Sequence, residues 1–171
     1  GMGAITPIGN NVKHFWENLQ KGKNGISEIT QFETEKFNVK LAAEVSIDLN
    51  TFFSSKELNK IDRFSAFAII AADEAIEMSN INSSNSNYNR IGVIVGSGIG
   101  GMRTLEKQHS RLLDNPKKVS PYFIPSMIPD IAPGHISIKH GFKGPNFSIV
   151  SACATGTHCI GNAYNMIINN E

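Results

Sequence analysis

The chain has 171 residues, 40% hydrophobic and 18% charged, with a formal net charge of +1, an ordinary globular composition with length for one sizeable core. Charge so near neutral argues against nucleic acid as the main partner, no apolar run reaches the length of a membrane span, and no charged-then-apolar leader opens the sequence. Its two cysteines, Cys153 and Cys159, lie six residues apart on one expected helix, about 9 Å of rise, too far to pair, which points to a reducing compartment.

Gly1-Met2-Gly3 opens inside a turn, without the apolar strand that should feed it. Residues 6–10 form a further turn, and Asn10 or Asn11 can cap the helix behind it. Val12, Phe15, Trp16 and Leu19 make that helix's apolar face, and Gly22 with Gly25 ends it. Residues 26–53 read as irregular apart from a strand at 41–45. Ser54 and Glu57 fit a capping box, starting one long helix to about Met78 with Leu58, Ile61, Ala68, Ile69, Ala72 and Ile76 on its buried face. Its first turns carry Lys56, Lys60 and Arg63 on another side, the pattern of a solvated basic face. Residues 80–89 are a polar, Asn-rich loop, mobile and without chemistry.

A strand at 90–95 must pair with one at 147–150 to bury both. Between them, Gly96-Ser97-Gly98-Ile99-Gly100-Gly101 satisfies G-x-G-x-x-G after a strand and before a helix at 102–113. That motif alone would allow a dinucleotide-binding turn. The acidic residue such a site needs is represented only by Asp114, which follows the helix directly with no strand before it. Lys117 and Lys118 read as a loop kept in water or as a second contact for an acidic partner. Pro121, Pro125, Pro129 and Pro133 break the next segment into turns before a short helix near 131–140. Phe123 within it reads as ordinary core. The turn at 141–145 then delivers the chain to the most informative stretch, 146–164.

There a short buried strand (Phe147, Ile149, Val150) runs through small residues into a helix with Ile160, Ala163, Met166 and Ile167 on its apolar face. Cys153 sits at the joint. A thiol near the positive end of the following helix is favoured as thiolate, the nucleophilic form, and acyl transfer needs a nucleophile that also leaves well. The small Ala152, Ala154, Thr155 and Gly156 leave room for a long substrate, and turn amides there can hold an oxyanion. Cys159 reads as helix packing. His14, His109, His135, His140 and His158 have no metal-ligand spacing, and His158, five residues after Cys153, points away from the sulfur as a satisfied helix histidine.

The run at 144–161, GPNFSIVSACATGTHCIG, resembles the active-site signature of the β-ketoacyl-[acyl-carrier-protein] synthases, the condensing enzymes of fatty acid synthesis. GMGAITPIGN at the start, VGSGIGGM at 95–102 and SPYFIPSMIPDIAPGHISIKHGFKGPN at 120–146 agree with their elongating, type II members, so the likeness covers nearly the whole chain. It implies a transferase with an α/β, thiolase-like fold layered α-β-α-β-α. Residues 1–171 would be its N-terminal half, with the first strand clipped and the C-terminal half absent.

The resemblance further implies that Cys153 is the acylated nucleophile, with its own backbone N–H as one oxyanion donor. Ile99 matches the family's gating residue in the acyl pocket, whose glycines serve close packing beside the acyl channel. Phe123 matches a residue lining the partner's pocket at the dimer interface. Lys56 and Lys60 match positions that receive the acidic carrier protein, although Asn59 stands where a cation is often found. The implied partners are acyl- and malonyl-carrier protein and a second copy in a homodimer, in the cytoplasm. No cofactor or metal is called for. The family's two enolate-stabilising histidines and supporting lysine have no counterpart within residues 1–171, so the isolated span is expected not to complete condensation. A thiolase-type enzyme acting on acyl-CoA is the alternative, and a nucleotide-binding or purely structural subunit a more distant one.

Overall fold

The computed structural model describes residues 1–170. The fold is mixed α/β and helix-rich, and its internal contacts separate two units: Gly1–Asp48 with Ile70–Asn80, and Leu49–Ile69 with the chain from Ile81 onward.

In the first unit, Thr6 and Gly9 close the expected turn through reciprocal backbone bonds of 2.9 and 3.2 Å. Asn11 caps α1 (Val12–Gln20), its side chain accepting from the His14 N–H at 2.8 Å. Gly22, at φ +64°, turns the chain away beyond the C-cap Lys21. Val12 and Phe15 are half-buried, whereas Trp16 and Leu19 are exposed, so only half of the expected apolar stripe is used. β1 (Ser27–Glu28) pairs antiparallel with β2 (Leu41–Ala42), Ser27 opposite Ala42. The strand expected over 41–45 stops at Ala42. Its continuation would need residues 24–26 opposite, where the Asn24 side chain accepts the Ile26 N–H at 2.9 Å and withdraws it from any ladder.

The single helix expected from Ser54 is in fact two, α2 (Ser55–Leu58) and α3 (Arg63–Ser79). The capping box is present: Ser54 Oγ accepts from the Glu57 N–H at 3.3 Å, and Glu57 accepts from the Ser54 N–H at 2.8 Å. Hydrogen bonds from Ser54 hold the exposed Glu57 carboxyl below its usual pKa. The break comes from Asp62. Its carboxylate accepts the Phe64 N–H at 3.2 Å and its carbonyl the Ala66 N–H at 3.1 Å, so it opens a new helix instead of continuing the old one. The buried stripe of α3 is accordingly Ser65, Ala66, Ile69 and Ile70, in line with Asp62 at three- and four-residue steps; Ala68 and Ala72, expected inside, are only half-buried. The later turns of α3 belong to the first unit. There Glu74 clasps the N-terminal segment, accepting from the Ala4 N–H at 3.0 Å and the Val12 N–H at 2.8 Å.

In the second unit, the Asn-rich loop is laced by its own side chains, Asn85 accepting from the Asn82 N–H and Asn82 from the Ser84 N–H, both at 3.0 Å. It ends in a 3-10 turn at Tyr88–Arg90 before β3 (Val93–Ile94). Next come α4 (Met102–Asp114), α5 (Phe123–Met127) and α6 (Ile131–His140). β4 (Asn146–Phe147) pairs parallel with β3, Val93 opposite Asn146 and Ile94 opposite Phe147. The expected pairing of these segments is therefore made, over two residues each, and Val150 is exposed rather than buried. Pro125 and Pro133 occupy the third positions of α5 and α6, where a missing N–H costs no helix bond, so they open helices instead of breaking them. Gly141, at φ +73°, ends α6 and leads to the buried Phe142, edge-on to Tyr88 at 5.2 Å and stacked on His140 at 5.5 Å. The Asn146 amide fastens β4 to α6 by donating to the Pro133 carbonyl (2.9 Å) and Ser137 Oγ (2.6 Å).

α7 (Thr155–Ile168) ends the described chain. Its inward stripe is Thr155, Cys159, Ala163 and Met166; Ile160 and Ile167, expected inside, are 74% and 78% exposed. Among the described residues no helix is long and apolar enough to cross a membrane.

His135, on α6, is half-buried, and its Nε2 is shielded from water without a hydrogen-bond partner. Burial lowers its pKa below the ordinary value of 6.5, favouring the neutral ring. An unfolded chain then binds more protons than the folded one just below pH 6.5, so stability falls as the pH drops through that range. His135→Gln should flatten this acid-side slope in urea melts between pH 7 and 5. An unchanged slope would mean that His135 is not the responsible group.

Candidate active site

The turn before α7 is built by a few polar bonds and one unusual backbone conformation. Ala152, with φ +51°, lies in the left-handed region although it carries a Cβ. It opens a 3-10 turn at Ala152–Ala154, and Cys153 stands exposed at its centre, two residues before the first residue of α7. The Ser151 N–H donates to Thr155 Oγ1 at 2.9 Å, and Ser151 Oγ shares a 2.6 Å hydrogen bond with His158 Nδ1. These bonds tie Ser151, just before the turn, to the first turns of the helix. His158 is thereby satisfied by Ser151, as a helix histidine is expected to be. Cys153 lies at the N-terminal end of α7, where the helix dipole favours negative charge. Geometry thus supplies an accessible sulfur, an electropositive end and a fixed backbone. Cys159 is buried on the inward stripe of α7, and neither cysteine is bridged.

The glycine-rich loop after β3 is shaped by this turn. A Cβ on Gly96 would meet Thr155 Cγ2 at 2.2 Å, the Ile149 carbonyl oxygen at 2.6 Å and Cys159 Sγ at 2.8 Å. A Cβ on Gly98 would have the Ala152 carbonyl oxygen as its nearest neighbour, 3.9 Å away, and Gly100 (φ +81°) approaches the Met127 carbonyl oxygen. The loop therefore spans from the Cys153 turn to the end of α5, with Ile99 between, 66% exposed. Close packing accounts for Gly96, Gly100 and Gly101, whereas Gly98 has room for a Cβ. Asp114, the only candidate for a ribose ligand, instead takes the Lys118 ammonium at 2.6 Å.

Phe123 is half-buried as the first residue of α5. Lys56 is exposed on α2; Lys60, half-buried, has its Nζ 4.9 Å above the Tyr122 ring. Lys117 is exposed and Lys118 is ion-paired. An open cleft of about 590 Å³ lies elsewhere in this unit, lined among others by Leu58, Asp62, Arg63, Arg103 and Lys107; Cys153, Ile99 and Phe123 do not line it. Among the described residues no cluster of three or more His, Cys, Asp or Glu is disposed to hold a metal ion.

Sequence reasoning missed Asp62, Thr104 and Ser126, all of which hold this region together. Asp62 carried a legible signal: an Asp directly before an apolar helical repeat is a second N-cap, hidden by the stronger cap at Ser54.

Comparison with known proteins finds the family profile "Beta-ketoacyl synthase, N-terminal domain" matching residues 1–171. A "3-oxoacyl-[acyl-carrier-protein] synthase 2" of Staphylococcus aureus is 48% identical over 169 residues, 98% of this chain and 41% of the relative. The enzyme of the same name from Coxiella burnetii is 44% identical over 173 residues, 100% of this chain and 42% of the relative. The chain thus spans about two fifths of the length of the curated relatives it matches. Among solved structures, the ishigamide ketosynthase/chain length factor has a similar fold, with a TM-score of 0.88 at 22% identity over 99% of this chain and 43% of that one. A type II polyketide ketosynthase, solved with its acyl-carrier protein and a bound hexaketide, gives a TM-score of 0.74 at 25% identity over 99% of this chain and 45% of that one.

Proposed function

Because the chain belongs to the beta-ketoacyl synthase family, matching its N-terminal domain over residues 1–171, we propose that it is the N-terminal half of a 3-oxoacyl-[acyl-carrier-protein] synthase of fatty acid biosynthesis. The observation that carries this reading is the exposed Cys153 in a strained turn at the N-terminal end of α7. In the first half-reaction the Cys153 thiolate attacks the thioester carbonyl of an acyl-carrier protein. The new C–S bond forms as the carrier thiolate leaves and takes up the proton given up by Cys153. Developing negative charge on the carbonyl oxygen is met by the backbone N–H of Cys153. In the second half-reaction malonyl-carrier protein loses CO2, its enolate carbon attacks the Cys153 thioester, and the sulfur departs as thiolate, leaving the 3-oxoacyl product on the carrier.

The groups that stabilise the enolate, two histidines and a lysine in this family, would come from the C-terminal half. Residues 1–171 alone are therefore read as inactive in condensation. Ile99 and Phe123 are assigned to the acyl pocket. Lys56 and Lys60 are assigned to the landing of the acidic carrier, where they would speed encounter more than deepen affinity; the cation–π contact of Lys60 leaves Lys56 the more available charge. A cytoplasmic homodimer is the state we assign.

The test offers the full-length protein equal concentrations of one acyl group on carrier protein and on coenzyme A, with peptide mass spectrometry locating the adduct. Acylation of Cys153 chiefly from the carrier is the expected result. Faster loading from coenzyme A would favour a thiolase-type enzyme, and no adduct on Cys153 would overturn the reading.

A further inference from the structure

Asp62 is buried, 7% exposed, and has no part in the acyl-transfer roles assigned above. Its Oδ1 accepts from the Phe64 N–H at 3.2 Å, capping α3; its Oδ2 accepts from the Thr104 N–H at 3.0 Å and Thr104 Oγ1 at 2.6 Å. Thr104 is the third residue of α4, and the N-cap of that helix, Gly101, supplies no side-chain bond of its own. One carboxylate therefore caps two helices, the second from outside its own chain segment. Gly101 is wedged at the same point: a Cβ there would meet Met127 Cα and the Ser126 carbonyl oxygen at 2.9 Å and Asp62 Oδ2 at 3.0 Å. The Gly101 N–H donates to the Met127 carbonyl at 2.7 Å, and Ser126 Oγ donates to the Lys60 carbonyl at 2.7 Å. Three pieces of chain meet in this knot: the segment between α2 and α3, the start of α4, and α5. The near end of the glycine loop is held by the Cys153 turn; its far end is held here.

We propose that Asp62, acting through Thr104, is a positioning residue that fixes the Ile99 loop against the Cys153 turn and so sets which acyl chains the thiol accepts. The proposal rests on the acyl-transfer reading given above. An unpaired carboxylate cannot be left in this buried position cheaply, so the loop has one arrangement while both bonds to Thr104 stand. Loss of the Thr104 hydroxyl removes the shorter of the two bonds to Asp62 and loosens the start of α4, and with it the loop carrying Ile99.

The experiment uses the full-length protein with Thr104→Val, Thr104→Ser and Asp62→Asn. Thr104→Val keeps the shape and removes the hydroxyl donor, Thr104→Ser keeps the donor, and Asp62→Asn serves as the harsher variant. Short- and long-chain acyl-carrier proteins compete for Cys153, and the ratio of the two adducts is read by mass spectrometry. Thr104→Val should move that ratio by on the order of tenfold, the size of one misplaced methylene in a pocket, with Thr104→Ser restoring it. Amide exchange over residues 97–104, which does not depend on turnover, should quicken in Thr104→Val and Asp62→Asn relative to α6. A ratio unchanged in folded Thr104→Val, or exchange that quickens equally everywhere, would overturn the assignment. Faster local exchange in a protein whose parent form never loads Cys153 would instead sink the acyl-transfer reading on which the assignment rests, and the assignment with it.

Discussion

Gly96→Ala is expected to cost about 3 kcal/mol or more, the upper end of the range for overfilled cores. Two of the three atoms its Cβ would meet cannot easily give way. The Ile149 carbonyl oxygen, at 2.6 Å, is backbone, and Thr155, whose Cγ2 lies at 2.2 Å, is tied by its Oγ1 to the Ser151 N–H. Relief requires α7 to move off the glycine loop, which carries the Cys153 turn with it. Chemical denaturation should show the loss, and thiol labelling should show Cys159, now buried, becoming reactive. Gly161→Ala on the same helix sets the contrast, since nothing lies within 4 Å of its Cβ. There the helix should gain up to about 1 kcal/mol from alanine's better propensity. A Gly96→Ala protein as stable as the parent would show that the loop and α7 are not in the contact described.

The second large effect concerns the thiol. Cys153→Ala should abolish the acyl adduct and lower turnover of the full-length enzyme on the order of 10⁴-fold or more, the scale on which removal of an attacking nucleophile is felt. Cys159→Ala removes an equally simple thiol from the buried stripe of α7 and should leave the adduct in place, lowering stability only. An adduct surviving Cys153→Ala would mean that another group attacks, and the role drawn from the turn geometry would fall.

What the sequence made legible divides by the range of the interaction. Local signals were read correctly: a cap at Asn10 or Asn11, of which Asn11 is used, the Ser54 capping box, α6 at 131–140 with a turn from Gly141, and the joint that presents Cys153. Each depends on residues within a few positions of one another. The failures arise where distant segments decide. The break at Asp62 is made by its own local bonds, but the tie of that carboxylate to Thr104, 42 residues away, left no mark in the local pattern. On α7, Thr155 and Cys159 pack against Gly96 while Ile160 and Ile167 lie on the exposed side, a division the apolar pattern alone did not carry. Strand lengths were overread because β-propensity does not record where a side chain such as Asn24 takes a ladder donor. The glycine motif was ambiguous on spacing; the atoms that a Cβ on Gly96, Gly100 or Gly101 would strike give three of its glycines a packing role.

Ala152 has a consequence for how this segment tolerates change over generations. Holding an alanine at φ +51° costs roughly 1 kcal/mol that glycine would not, so Ala152→Gly relaxes the turn in the folded state while giving the unfolded chain more freedom. A library screened only for thermal persistence would meet these opposing terms as near-neutral drift. One screened for turnover would weigh the looser backbone around Cys153 as well, and would keep the methyl. At this position, selection for endurance and selection for chemistry can therefore be told apart by the residue that survives.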